Sequence, residues 1–124
     1  MDAIATYGLT KHYRAHAALR GLDLHVPTGR LFGFLGPNGA GKTTALRLLL
    51  GLLRATSGRA EVLGRDAWRD GRVLRAEVGY LPGDLRLYPW LTARRALRLS
   101  GQARGEASPA LARNWWTASS WTWV

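Results

Sequence analysis

Cysteine is absent from the 124 residues, so no disulfide framework and no thiolate metal centre can form. Long apolar runs are absent too. The richest, Leu48 to Leu53, is interrupted by Gly51 and falls far short of the roughly 20 residues needed to cross a bilayer. The opening residues, Met1-Asp2-Ala3-Ile4-Ala5, have neither a basic start nor a long apolar stretch, so no signal peptide is visible and the cytoplasm is the expected compartment. Acidic residues are few, 8 against 18 Lys and Arg, for a net charge of +10. All but Lys11 and Lys42 of those cations are Arg, spread along the chain rather than gathered in one arm. That spread fits an arginine-rich coding bias better than a dedicated polyanion surface. The length is that of one domain or part of one, enough to bury about two-thirds of the unfolded surface.

What is present changes character along the chain. Ala3 to Tyr7, Leu22 to Val26 and Leu31 to Leu35 are short apolar segments, the last two separated by Pro27-Thr28-Gly29. They read as strands, the latter pair joined by a tight turn. After Gly36 the dense leucines 46, 48, 49, 50, 52 and 53 fit a helix buried over most of its surface and ended by Ser57-Gly58. Arg59 to Leu63 reads as a strand, Asp66 to Leu74 as a short polar helix, and Glu77 to Leu81 as a strand stopped by Pro82-Gly83. From Thr92, small and apolar residues alternate with Arg94, Arg95, Arg98 and Arg104, an amphipathic helix capped by Thr92 and closed by Gly105. The expected class is α/β.

One motif carries chemistry. Gly36-Pro37-Asn38-Gly39-Ala40-Gly41-Lys42-Thr43-Thr44 fits G-x-x-x-x-G-K-[ST] between an expected strand and an expected helix, the P-loop context. Glycines leave backbone N–H groups free to wrap a phosphate and tolerate positive φ, and the helix N-terminus adds its dipole. Lys42 would reach the β/γ-phosphates, Thr43 would offer its hydroxyl to Mg²⁺, and Thr44 would bond an α-phosphate oxygen.

With these residues in view, the chain resembles the ATP-binding domain of ABC transporters, in the style of the bacterial drug-export subgroup. The resemblance runs through Gly8-Leu9-Thr10-Lys11-His12-Tyr13, the segment to Gly29, the loop, the leucine-rich helix, Thr56-Ser57-Gly58 and Val78-Gly79-Tyr80-Leu81-Pro82. It covers residues 3 to 105, the first part of such a domain: a P-loop NTPase with an N-terminal antiparallel β part and the start of a helical subdomain. It implies ATP and Mg²⁺ as cofactors, with Tyr13 stacked on adenine. It also implies a membrane-spanning transporter subunit as partner, engaged near Tyr88, Pro89, Trp90 and Leu91 at the inner face of the membrane. A full-length chain would pair head-to-tail with a second ATP-binding subunit. Where the family offers a Gln to Mg²⁺ and the attacking water, this chain has Gly83, with Asp84 beside it able to reach the metal through a water.

Hydrolysis in that family needs a carboxylate after a buried apolar strand, a second as base, and a late His. Here no Asp or Glu follows four consecutive apolar residues, and His12, His16 and His25 all precede the loop. The Leu-Ser-Gly-Gly-Gln signature is missing; Leu99-Ser100-Gly101-Gln102 is one glycine short of it. Residues 106–124 diverge, and the uncharged stretch Trp115 to Val124 holds four of the six Trp. The expectation is an ATP-binding module at 1–105 with a Trp-rich tail outside the fold, a truncated or frame-disrupted copy without turnover of its own. The rival reading is a non-catalytic nucleotide- or nucleic-acid-binding regulatory module; nucleic acid is not the expected partner.

Overall fold

The computed structural model describes residues 1–81 and 89–103, which fall into two compact units meeting between Gly79 and Tyr80. In the first unit, β1 (Asp2–Tyr13) and β2 (His16–Pro27) form a long antiparallel hairpin. Next come α1 (Lys42–Leu49), β3 (Ser57–Val62), β4 (Arg65–Asp66) and α2 (Gly71–Glu77). The strands make one antiparallel sheet in the order β2-β1-β3-β4. The second unit contains α3 (Ala93–Ala103).

The hairpin has a two-residue connection, Arg14-Ala15, closed by the pair Tyr13 and His16, and in β2 apolar and polar residues alternate from Leu22 to Val26. Thr6 is buried, and its hydroxyl donates to the Leu22 carbonyl at 2.8 Å, which removes the penalty of a buried polar group. Ala45, Leu48 and Leu49 lie three and four residues apart and bury one face of α1. They join Leu9 and Leu19 of the hairpin, Ala60 and Val62 of β3, Ala67, and Leu74 of α2 in a single core.

Arg14 has φ 53 at the first position of the hairpin loop, a conformation that costs a side chain about 1–2 kcal/mol. It is exposed. Arg14→Gly should therefore stabilise the unit by about 1 kcal/mol, read as a rise in Tm of roughly 4 °C on thermal melting.

Several expected boundaries move. α1 ends at Leu50, not at Ser57-Gly58. The Gly51 N–H donates to Leu48 C=O at 3.1 Å and the Leu52 N–H to Arg47 C=O at 2.9 Å, a Schellman closure that reverses the chain. Only one face of α1 is buried, since Leu46 and Arg47 are exposed. Asp66 does not begin a helix. Its Oδ1 accepts the N–H groups of Trp68 and Arg69 at 3.0 and 2.8 Å, a side-chain turn that delays the helix to Gly71. Glu77 closes α2 rather than opening a strand, and residues 78–81 have no regular structure. Residues 31–35 are not in a strand either. β2 pairs with β1 instead, and Leu31 and Leu35 are 98% and 92% exposed while Phe34 packs on the core. Thr92 does cap α3: its Oγ1 accepts the Arg95 N–H at 3.3 Å. Gly105, Asp84, Tyr88 and the Trp-rich tail lie outside the described residues.

Candidate functional site

The glycine-rich loop leads directly into α1. Within it the Ala40 N–H donates to the Pro37 carbonyl at 3.2 Å. Gly41 is the N-cap in the left-handed region, φ 88 and ψ 7, and its carbonyl accepts the Ala45 N–H at 2.8 Å, the first turn of the helix. The N–H groups of Lys42, Thr43 and Thr44 have no carbonyl four residues earlier in the helix. No side chain caps them, and no acidic residue stands in the first turn. Open donors at a helix N-terminus favour an anion by both hydrogen bonding and dipole.

Lys42 folds back over the loop. Its Nζ donates to the carbonyls of Gly36 and, at 2.7 Å, Pro37. Both acceptors are neutral, and an anionic phosphate oxygen holds an ammonium more strongly than a neutral carbonyl does, because charge attraction adds to the hydrogen bond. An incoming phosphate therefore competes well for this cation.

Gly41 fixes where the loop sits. A Cβ there would lie 2.3 Å from the Ala18 carbonyl oxygen and 3.2 Å from Leu19 Cδ1, so the loop rests directly on the backbone of β2. The hairpin register pairs Lys11 with Leu19 and Tyr13 with His16, so Tyr13 ends the same hairpin a few residues from that seat. Its ring is 45% exposed, with Lys11 Nζ 5.4 Å from the centroid. An exposed aromatic face beside a cation suits a planar base attached to phosphates. Lys11 is itself anchored, its Nζ donating to the Arg54 carbonyl at 2.7 Å.

Of the residues singled out from the sequence, Gly36, Pro37, Asn38, Gly39, Ala40 and Thr43 are exposed, and Gly41, Lys42 and Thr44 are half-buried. All are brought into one loop and helix start. No three His, Asp or Glu among the described residues converge as a metal site. A cavity of about 250 Å³ lies elsewhere, lined by Leu9, Leu48, Thr56, Arg59, Asp66 and Trp68 among others. It shares no residue with the loop, and the loop's donors are the stronger indication of a ligand.

Two participants escape sequence reasoning. The Ala18 carbonyl that seats Gly41 is a backbone group with no residue signature. Arg75 of α2 donates from Nη1 to the carbonyls of Leu50 and Gly51, 3.1 Å each, the two residues just past the end of α1. Nothing local in the sequence marks it.

A family profile described as ABC transporter matches residues 19–122. The chain is 45% identical over 100 residues to the daunorubicin resistance ATP-binding protein DrrA3 of Streptomyces coeruleorubidus, covering 81% of this chain and 32% of that protein. It is 37% identical over 102 residues to the bacitracin transport ATP-binding protein BcrA of Bacillus licheniformis, covering 82% and 33%. It thus spans about a third of the length of these relatives. Among solved structures, the ATP-binding subunit of an ABC transporter superposes with a TM-score of 0.72 at 29% identity, over 87% of this chain and 45% of that one. A nucleotide-free ATP-binding cassette matches in fold with a TM-score of 0.69 at 22% identity, over 96% and 47%.

Proposed function

The chain belongs to the ABC transporter family of ATP-binding proteins, and from that premise we propose that it holds Mg-ATP in the Gly36–Thr44 loop as the nucleotide-binding portion of a transporter's ATP-binding subunit. The observation that carries this reading is the pairing of an uncapped α1 N-terminus with a Lys42 ammonium resting on two loop carbonyls. The site is cationic and offers open backbone donors at the start of α1. On binding, Lys42 exchanges the Gly36 and Pro37 carbonyls for β- and γ-phosphate oxygens. Thr43 offers its hydroxyl to Mg²⁺, Thr44 bonds the α-phosphate, and Tyr13 takes the base on its exposed face. The metal supplies charge neutralisation between the phosphates when it is bound.

The names of the relatives extend the proposal. DrrA3 is named for daunorubicin resistance and BcrA for bacitracin transport, so the partner proposed here is a membrane-spanning subunit of drug-export type, with this chain at the inner face of the membrane and a second ATP-binding subunit opposite. Turnover is not part of the proposal for this chain alone. Residues 1–124 include no carboxylate after four apolar residues and no His beyond the loop, so the proposal is confined to binding.

The test is thermal melting of the purified chain with Mg-ATP and with Mg²⁺ alone. At a ligand concentration about 100-fold above Kd, binding stabilises by about 2.7 kcal/mol, roughly 10 °C in Tm for a domain of this size. Lys42→Ala should abolish that rise and leave the ligand-free Tm nearly unchanged, because Lys42 bonds only exposed carbonyls. A rise that persists in Lys42→Ala and disappears with salt would instead mark non-specific polyanion binding by the arginines and defeat the reading.

A further inference from the structure

Lys11 stands between the end of the hairpin and the chain that follows α1. β1 pairs with β3 as far as Thr10, opposite Ser57. From Lys11 to Tyr13 it pairs with β2 alone among the described strands. A two-stranded ribbon of this kind is marginal by itself and twists readily. Two polar contacts tie it back: the Lys11 Nζ donates to the Arg54 carbonyl at 2.7 Å, and the His12 N–H donates to the Thr56 hydroxyl at 3.0 Å. Of the last three residues of β1, Lys11 is half-buried while His12 and Tyr13 are exposed.

The same ammonium serves the Tyr13 ring. It stands over the ring, 5.4 Å from the centroid, within the distance at which an aromatic face attracts a cation. A carbonyl thus fixes the ammonium, and the ammonium in turn fixes the ring. One face of Tyr13 is taken by Lys11, which leaves the other for a planar group. Stacking on a ring already in place is stronger, because the side chain's rotamer freedom is lost before the ligand arrives. From this sequence of contacts we infer that Lys11 is a positioning residue for nucleotide binding. It holds Tyr13 in the orientation that receives the base, and it does so from backbone just beyond the helix whose N-terminus faces the phosphates. The inference rests on the assignment of Tyr13 to the base and adds what sets that ring. A different role for the same charge, direct attraction of the phosphates, would act on any polyphosphate, with or without a base.

The experiment is calorimetric titration of the full chain with Mg-ATP and with Mg-tripolyphosphate, which has the phosphates and no base. Lys11→Met keeps an unbranched side chain of similar length and removes the charge. It should weaken Mg-ATP by about three- to fivefold, the range of a solvent-accessible cation–π contact, and leave Mg-tripolyphosphate within about twofold of the parent. Lys11→Arg retains a cation and a donor, and should bring Mg-ATP back to within about twofold. Tyr13→Ala should weaken Mg-ATP by about tenfold or more, and adding Lys11→Met to it should cause no further loss, because the lysine acts through the ring. Retained tripolyphosphate binding shows that each variant is folded, and Lys11→Gln is read in the same way where Lys11→Met lowers the ligand-free Tm. Equal losses for the two ligands in Lys11→Met, unchanged Mg-ATP affinity in Lys11→Met, or a further loss on the Tyr13→Ala background would each overturn the inference while leaving the base on Tyr13. Unchanged Mg-ATP affinity in Tyr13→Ala would remove the base from Tyr13 and the inference with it, and absence of binding by either ligand would defeat the phosphate loop as well.

Discussion

Gly41→Ala is expected to remove Mg-ATP-dependent stabilisation altogether and to weaken the fold itself by about 3–5 kcal/mol. Two effects add. With φ 88, any side chain at this position sits in the left-handed region, at about 1–2 kcal/mol. The methyl would also be driven to 2.3 Å from the Ala18 carbonyl oxygen, and since Ala18 is held in β2 between the paired residues Ala17 and Leu19, neither backbone can withdraw without disturbing the seat of the loop. Gly39 provides the internal comparison. It has φ 84, yet a Cβ there meets nothing within 4 Å. Gly39→Ala should therefore cost only the conformational part, about 1 kcal/mol. Chemical denaturation of the two variants side by side isolates the contact with β2; equal losses would show that the loop does not rest there.

Gly58→Ala is expected to be at least as damaging, about 3–5 kcal/mol, against a total stability of roughly 5–15 kcal/mol for a domain of this size. Gly58, in β3, has φ 74, and a Cβ would fall 2.2 Å from the Gly8 carbonyl oxygen and 2.6 Å from that of Tyr7. The register explains the crowding. Tyr7 pairs with Arg59 and Thr10 with Ser57, so β1 has one residue more than β3 over this stretch, and the surplus bulges toward Gly58. The same stretch ties β1 to the chain before β3, where the Thr56 N–H donates to the Thr10 carbonyl at 2.9 Å and the Thr56 hydroxyl accepts the His12 N–H at 3.0 Å. A methyl there separates β1 from β3 and opens the core over Leu9 and Ala60. The expected readout is a fall in Tm of about 12–20 °C; a melting temperature within a few degrees of the parent would contradict this account of the sheet.

These outcomes bear on how the sequence encodes the site. The phosphate loop could be read directly because its residue types are conformational instructions. Glycines at 39 and 41 permit positive φ, and the run that follows favours a helix with an open N-terminus. Tyr13 could be placed only through resemblance, since an aromatic residue near a hairpin end is also a common packing residue. The strand patterns at 31–35 and 77–81 misled for a different reason. An apolar run records a readiness to pair, whereas a strand exists only when a neighbour takes up its hydrogen bonds. None of the described strands pairs with residues 31–35, and Glu77 stays helical because Leu74 is buried and Arg75 reaches the end of α1. Both causes are long-range. The early stop of α1 was encoded locally, by Gly51, and underweighted against the leucines on either side.

Arg75 has a consequence for the opposite end of α1. At the C-terminal end of this eight-residue helix, carbonyls are met by the Gly51 and Leu52 amides, and just beyond it those of Leu50 and Gly51 by a guanidinium. Partial negative charge at the tail is thus already compensated by a fixed cation, while partial positive charge at the head meets no acidic residue in the first turn and no side-chain cap among the described residues. The helix is polarised in one direction and balanced at one end only. An anion arriving at the head completes the pair, so Arg75 favours that event through the potential along α1 without coming near the phosphates.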